Sequence, residues 1–431
     1  GGPMLLARIL LGLAITPTPG VRSQQGFVEY ERKAWRDFVD ERRRGVVIIG
    51  GRQHPSSRRS TYYTLDALLA IASLRRVGCR LPVELWHDRD PELEGDAGEM
   101  FREALGSTTG RLILRDILAL PGAVDVRGFG LKSFVLLHSS FEEVLYLDSD
   151  IVVVRDPTEL FSVPEYKATG AMFWPAQIPH LPTSQIIWEI LGVEPQPFLI
   201  DAAVMLMHRG LHTEKLELAN FFNHRWRHFQ QGNLSEATTV GYPFFFTGDS
   251  DMFVFAWLAL SAPFHMVAPT ADLIGFANDA TLFCGHSIFL RHPTTPLQLM
   301  FSHRARAKFS YFPEADMVSN AIKRSSLRPG LVQGQWNPLW ANTSCFDLFT
   351  QEDDINEDSL VEIAYDLDQS FAARSELAKL QGLEQELLLL RSALVSRAND
   401  SALRTLNHGW FMALIEYTLG LGCMLDNGVI T

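Results

Sequence analysis

Two aspartates with one residue between them, Asp148 and Asp150, close the apolar run Phe141-Glu-Glu-Val-Leu-Tyr-Leu147, and a second apolar run, Ile151-Val-Val-Val154, follows at once. Side chains at i and i+2 of an extended chain point to the same side. Two same-side carboxylates at the end of a buried strand repel each other unless a cation lies between them. The cation that suits them is a divalent metal, itself able to carry a diphosphate. Ser149, between the two, belongs to the same turn and is counted with the residues that would hold such a ligand.

A site of this kind needs further partners. Lys132 lies on a predicted helix over 130–139 that feeds the aspartate strand, where it can offset phosphate charge; a solvent-facing lysine is the plainer alternative. Thr247-Gly-Asp-Ser-Asp251 supplies a second carboxylate pair, Asp249 and Asp251, at the start of a predicted helix over 249–260. One of these can cap the helix. The other is left to bind sugar hydroxyls or to steady positive character at an anomeric carbon. His303 follows an apolar run around Leu297-Gln-Leu299. A lone histidine is more often a packing residue than a ligand, yet imidazole complements two carboxylates around manganese. Arg304 and Lys308 stand beside it and can neutralise phosphate oxygens. Trp174, in Phe173-Trp-Pro175, is either a core residue or a sugar-stacking face; core packing is the preferred reading for this cluster and for Phe244-Phe-Phe246.

These residues must be positioned by a framework, and 431 residues suffice for a large α/β domain with an appendage. Hydrophobic residues are 47% and charged residues 20%, which reads as globular. The net charge of −12 argues against a nucleic-acid partner, which would call for a basic face. The four cysteines form no CxxC pair, so a zinc site is disfavoured, and their even number permits disulfides without demonstrating them. Sequons at Asn233, Asn342 and Asn399 give weak support for a secretory lumen.

Val46-Val-Ile-Ile49 reads as a buried strand opening at Gly50-Gly51 into a loop. Helical spacing runs over 61–76, a strand over 81–86, a polar helix over 91–105 and a strand over 111–114. Alternation of this kind implies a mostly parallel, Rossmann-like sheet flanked by helices, with ligands at the carboxyl ends of the strands. Gly50, Gly51 and the aspartate pair would then share one edge. No GxGxxG follows the first strand, which disfavours a dinucleotide-binding dehydrogenase. Strands over 169–174 and 198–207 and a helix over 213–229 come next. Residues 351–368 are acidic, and 376–406 have helical apolar spacing. The division is therefore 1–44 as a stem or truncated anchor with a lead-in helix, 45–312 as the catalytic domain, and 313–431 as a mainly helical C-terminal appendage. The apolar stretch 4–15 is shorter than the ~20 residues that a bilayer span needs, and 410–424 reads as a packed helix.

Taken in order, these segments resemble the fungal Golgi α-mannosyltransferases that build outer mannan chains through α-1,3 and α-1,2 linkages. The resemblance is carried by Gly45-Val-Val-Ile-Ile-Gly-Gly51, Leu74-Arg-Arg-Val-Gly-Cys-Arg-Leu-Pro-Val-Glu84, Lys132, Ser139 to Asp150, Arg155-Asp-Pro-Thr-Glu-Leu-Phe161, Thr169-Gly-Ala-Met-Phe-Trp-Pro175, Thr247 to Phe253, and Cys284-Gly-His followed by His303. It covers roughly residues 45 to 310. It implies a GT-A fold with a DxD motif, GDP-mannose as donor, manganese as cofactor, and retaining transfer to a mannoside of a glycoprotein or glycolipid. It also implies a type II protein of the Golgi membrane with a lumenal catalytic domain. On this reading Asp148, Asp150 and His303 hold the metal. Gly50, Gly51, Lys132, Asp148, Ser149 and Lys308 hold the donor, and Asp249 and Asp251 face the sugar. Phe198-Leu-Ile-Asp-Ala-Ala-Val-Met-Leu-Met207 also resembles the strand of glycogenin-like glycosyltransferases, with Asp201 in the place of an Asn that touches the donor sugar. The chain departs from the family pattern at Ala176, Ile151 and the segment before Asp201. A UDP-sugar donor and a non-catalytic carbohydrate-binding paralogue are the competing readings.

Overall fold

A computed structural model describes residues 43–50, 60–87, 111–122, 130–179, 198–224, 249–268, 270–277, 283–305, 308–309, 318–329 and 361–399. The apolar stretch 4–15, Gly51, the predicted helices at 91–105 and 410–424, and the aromatic cluster 244–246 lie outside these residues.

The first sheet is built from β1 (Arg44–Ile49), β2 (Val83–His87), β3 (Leu112–Asp116), β4 (Glu143–Leu147), β6 (Ala171–Pro179), β7 (Phe198–His208) and β8 (His265–Met266). Its order is β3-β2-β1-β4-β7-β6-β8. The first four strands are parallel neighbours, and β7 enters antiparallel beside β4. The second sheet is antiparallel throughout. It contains β5 (Ile151–Val153), β9 (Asp272–Ala277), β10 (Phe283–Arg291), β11 (Leu299–His303), β12 (Ala321–Pro329) and β13 (Val361–Leu367), in the order β13-β12-β9-β10-β11-β5. The helices are α1 (Ser60–Arg76), α2 (Leu131–His138), α3 (Pro164–Thr169), α4 (Arg209–His224), α5 (Asp249–Ala259) and α6 (Phe371–Asn399).

Period-two alternation divides the core. Val46, Ile48, Leu145, Leu147, Val204 and Leu206 face one way and join α1, α6 and the second sheet in one apolar cluster. Val47, Ile49, Val144, Tyr146, Met205 and Met207 face the other way and join α2, α4 and α5 in a second. A sheet covered on both faces explains why these strands read as continuous apolar runs. Helix α1 lies against both β1 and β5 and so links the two sheets. It approaches closely where β1 ends: a Cβ on Gly50 would stand 2.7 Å from Cβ of Ala67. Strand β5 is the outer strand of its sheet, and one of its amides, Val153 N, donates to Ser73 Oγ of α1 at 3.0 Å.

Beyond residue 313 the chain supplies two strands as well as the helix. β12 pairs with β9, and α6 buries Leu377, Leu380, Leu383, Leu387 and Leu390 in the first cluster. The segments Ala321-Ile-Lys-Arg-Ser-Ser-Leu and Val361-Glu-Ile-Ala-Tyr-Asp-Leu alternate apolar and polar residues only in part, so composition masks their strand character. Cys79 is a buried free thiol. Among the described residues no helix is long and apolar enough to cross a membrane.

Candidate functional site

The aspartate pair occupies the turn that carries the chain from one sheet into the other. β4 lies between β1 and β7 in the first sheet, and Asp148 N extends its ladder by donating to Ala203 O at 2.8 Å. The chain turns through Ser149 and Asp150, with Ile151 N donating to Asp148 O at 3.3 Å, and re-emerges as β5 of the second sheet. Pairing of β5 with β11 sets His303 opposite Ile151, and Arg304 N donates to Asp150 O at 3.0 Å. Backbone pairing alone therefore brings His303 to residues more than 150 positions earlier in the sequence.

Lys132 of α2 donates from Nζ to Asp148 Oδ2 at 2.8 Å and to Ala202 O at 3.2 Å. Tyr146 OH donates to the other oxygen, Oδ1, at 2.6 Å. Asp150 is paired with the ammonium of Lys308, and His303 Nε2 stands 3.6 Å from Asp150 Oδ2. Behind the imidazole, His303 Nδ1 donates to Asp201 Oδ2 at 2.8 Å, while Asp201 Oδ1 accepts from Ala203 N at 3.0 Å. Asp201 thus fixes the ring, with Nδ1 committed and Nε2 turned toward Asp150.

The electrostatics follow from this crowding. Burial favours the neutral acid at Asp150, but the Lys308 ammonium and His303 outweigh it and hold the carboxyl well below its ordinary value. At His303 burial opposes the charged ring, yet Asp201 and Asp150 together raise its pKa to about 10; a metal at Nε2 would take the place of that proton, leaving Nδ1–H on Asp201. Burial likewise opposes the charge on Lys308, and Asp150 overrides it and raises its pKa, with Asp148 and Asp66 adding to the effect.

Asp148, Asp150 and His303 each offer one ligand atom, and those atoms lie within 4.8 Å of one another. Two carboxylates and an imidazole form a donor set suited to manganese and similar divalent ions. A ligating histidine characteristically gives its second nitrogen to a carboxylate, which sets the tautomer and raises ligand basicity. The Asp201–His303 contact has that form. The residues present fit a metal.

The other sequence-predicted residues fall as follows. Gly50 ends β1, where the close approach of α1 requires a residue without a side chain. Ser149 is buried in the turn. Asp249 and Asp251 lie at the start of α5, and their side chains are outside the described residues. Trp174 is a core residue: it is fully buried, meets Phe301 edge-on, and donates from Nε1 to Arg291 O at 2.8 Å. Two roles escaped the sequence. Tyr146 sits two residues before Asp148 on the same side of its strand, a spacing that was legible. The contact of Asp201 with His303 spans 102 positions and had no local signal.

A parallel α/β sheet passes into an antiparallel one, and an Asp-Ser-Asp turn, a histidine and two lysines meet at the junction. The chain belongs to the mannosyltransferase family Mannosyl_trans3, whose profile matches residues 43–290, more than half of its length. It is 25% identical over 279 residues to the α-1,2-mannosyltransferase MNN24 of Candida albicans, covering 55% of this chain and 36% of the relative. It is 35% identical over 143 residues to MNN21 of the same organism, covering 31% and 20%. The chain thus spans well under two thirds of the length of these relatives. Among solved structures, the glycosyltransferase GlyE of Streptococcus pneumoniae TIGR4 is similar over 52% of this chain and 45% of its own, at 18% identity and a TM-score of 0.31.

Proposed function

We propose that this chain transfers mannose from GDP-mannose to a mannoside of a glycoprotein or glycolipid, with retention at the anomeric carbon and with manganese bound by Asp148, Asp150 and His303. The observation that carries the reading is the convergence of those three ligand atoms within 4.8 Å, flanked by Lys132 and Lys308. Family membership and the named α-1,2-mannosyltransferase relatives support mannose as the transferred sugar. The proposal includes a setting in the Golgi lumen with type II topology.

When bound, the metal acts as a Lewis acid toward the departing diphosphate. The chain's own residues prepare that event. Lys132 and Tyr146 each occupy one oxygen of Asp148, so its carboxylate has one orientation. Asp201 holds His303 in a single tautomer with Nε2 facing the site. Lys308, on a long side chain, can leave Asp150 for the diphosphate oxygens and offset their charge. Ser149 and Gly50 follow the neighbouring parallel strands β4 and β1 and are assigned to the donor, as is Gly51. Asp249 and Asp251, at the start of α5, are assigned to the sugar hydroxyls and to the oxocarbenium-like charge of the transition state.

A donor panel with manganese tests the proposal. GDP-mannose should be turned over in the presence of a mannoside acceptor, and chelation should stop the reaction. Turnover of a UDP-sugar in preference to GDP-mannose overturns the donor assignment. Absence of both nucleotide binding and turnover overturns the enzyme.

A further inference from the structure

Helix α6 lies outside the residues matched by the family profile, which ends at 290. Its inward face buries Leu377, Leu380, Leu383, Leu387 and Leu390, enough to seat it on the second sheet and α1. Two glutamates share that face: Glu376 is nearly buried and Glu384 is fully buried. A carboxylate is kept among leucines only when it is paired. Both pairings converge on β11 and the segment that follows it. Glu376 accepts from Leu299 N at 2.9 Å, where β11 begins, and pairs through both oxygens with Arg155 at 2.7 Å. Glu384 is ion-paired with Arg304, the residue after His303, and accepts from Ser319 N at 2.9 Å.

Arg304 is 1% exposed, and its guanidinium lies over the Phe309 ring, 4.2 Å from the centroid. Further along the helix, Arg391 Nε donates to Phe309 O at 2.6 Å. Three side chains of one helix therefore fix both ends of the segment that carries His303 and Lys308. Leucines alone would have sufficed to cover the sheet.

We infer that α6 is a positioning element for the metal and diphosphate site: Glu384, acting through Arg304, and Arg391, acting through the Phe309 carbonyl, set where His303 and Lys308 stand. Neither side chain of α6 is among the residues assigned to the donor. The inference rests on reading Asp148, Asp150 and His303 as a metal site.

The test uses the full chain carrying Arg391→Met or Glu384→Gln, with Arg391→Lys as the conservative variant. Glu386→Gln is the control, because Glu386 joins the same helix to Arg76 of α1 through bonds of 2.5 and 2.9 Å and, among the described residues, makes no contact of this kind with the segment after β11. Manganese affinity is read by calorimetry, alongside KM and kcat for GDP-mannose and the thermal midpoint. Arg391→Met and Glu384→Gln should bind manganese about tenfold more weakly, Arg391→Lys should recover most of that loss, and Glu386→Gln should stay within about twofold of the parent. If Glu384→Gln does not fold, the half-exposed Arg391 decides the question alone. Parent-like affinity in Arg391→Met overturns the inference, as does an equal loss in Glu386→Gln. A parent that binds no manganese sinks the donor-site reading instead. Amide exchange over 299–309 then decides about α6: faster exchange in Arg391→Met but not in Glu386→Gln upholds the positioning, and unchanged exchange refutes it.

Discussion

Two buried carboxylates, Glu84 in β2 and Asp150 in the turn after β4, have opposite kinds of partner. Glu84 is fully buried and accepts from Trp86 Nε1 at 3.1 Å, Arg115 at 3.2 Å, and the backbone and hydroxyl of Ser140 at 3.0 and 2.5 Å. Three of those four donors are neutral, and two belong to a single turn residue, Ser140. Asp150 depends on the ammonium of Lys308 and the imidazole of His303. An ammonium on a flexible stem can withdraw when another cation arrives, whereas a turn amide cannot. A carboxylate saturated by fixed donors holds the fold. One neutralised by exchangeable cations is free to hold a ligand.

The sharpest way to break this contrast is Asp150→Ala. It should lower GDP-mannose turnover at least about a hundredfold, with circular dichroism and thermal midpoint close to the parent. Retained turnover would remove Asp150 from the metal site. Glu84→Gln should do the reverse. It weakens the acceptor for Arg115 and Ser140 and should cost about 1–3 kcal/mol in a urea titration, with kcat/KM per folded molecule unchanged. Lost turnover without lost stability in that variant would erase the distinction. The smallest effect concerns two histidines of neighbouring strands. His303 is held charged by its carboxylates, while burial, assisted by Arg304, pushes His286 down to about 3. His286 is neutral in both folded and unfolded chains above its unfolded value near 6.5, so its full contribution to stability is present there. As pH falls below that value, the unfolded chain takes up a proton that the native one refuses. Stability should then drop by up to about 1.4 kcal/mol per pH unit, and His286→Phe should flatten that slope between pH 6.5 and 5.

Much of the first sheet was legible because its signals are local. The runs at 46–49 and 143–147 fill strands covered on both faces, and the spacing over 61–76 marks a helix that buries most of its surface. The aspartate turn stood out because two carboxylates ended one apolar run and preceded another. The helix predicted over 213–229 begins earlier, at Arg209, directly after β7. The antiparallel sheet was not read: β9 to β11 are consecutive hairpins without regular alternation, and β5 and β12 join them through pairings distant in sequence. Lys308 and His303 were picked out by type and proximity. The order among them — Asp201 behind His303, Lys308 on Asp150 — depends on strands brought together across 100 or more positions. Arg304 looked like a phosphate-facing cation in sequence, but the fold turns it away to Glu384.

The turn at 148–150 also constrains how chains of this family can be recombined. β4 is locked in register against β1 and β7, and β5 against β11. Because strand side chains alternate with a period of two, adding or deleting one residue between Phe141 and Val154 would invert one of those strands and drive apolar side chains toward water. A chimera that exchanges donor preference must therefore carry 141–154 and 299–309 as one cassette, with crossovers placed elsewhere. Length variation among natural homologues is expected to avoid the same window.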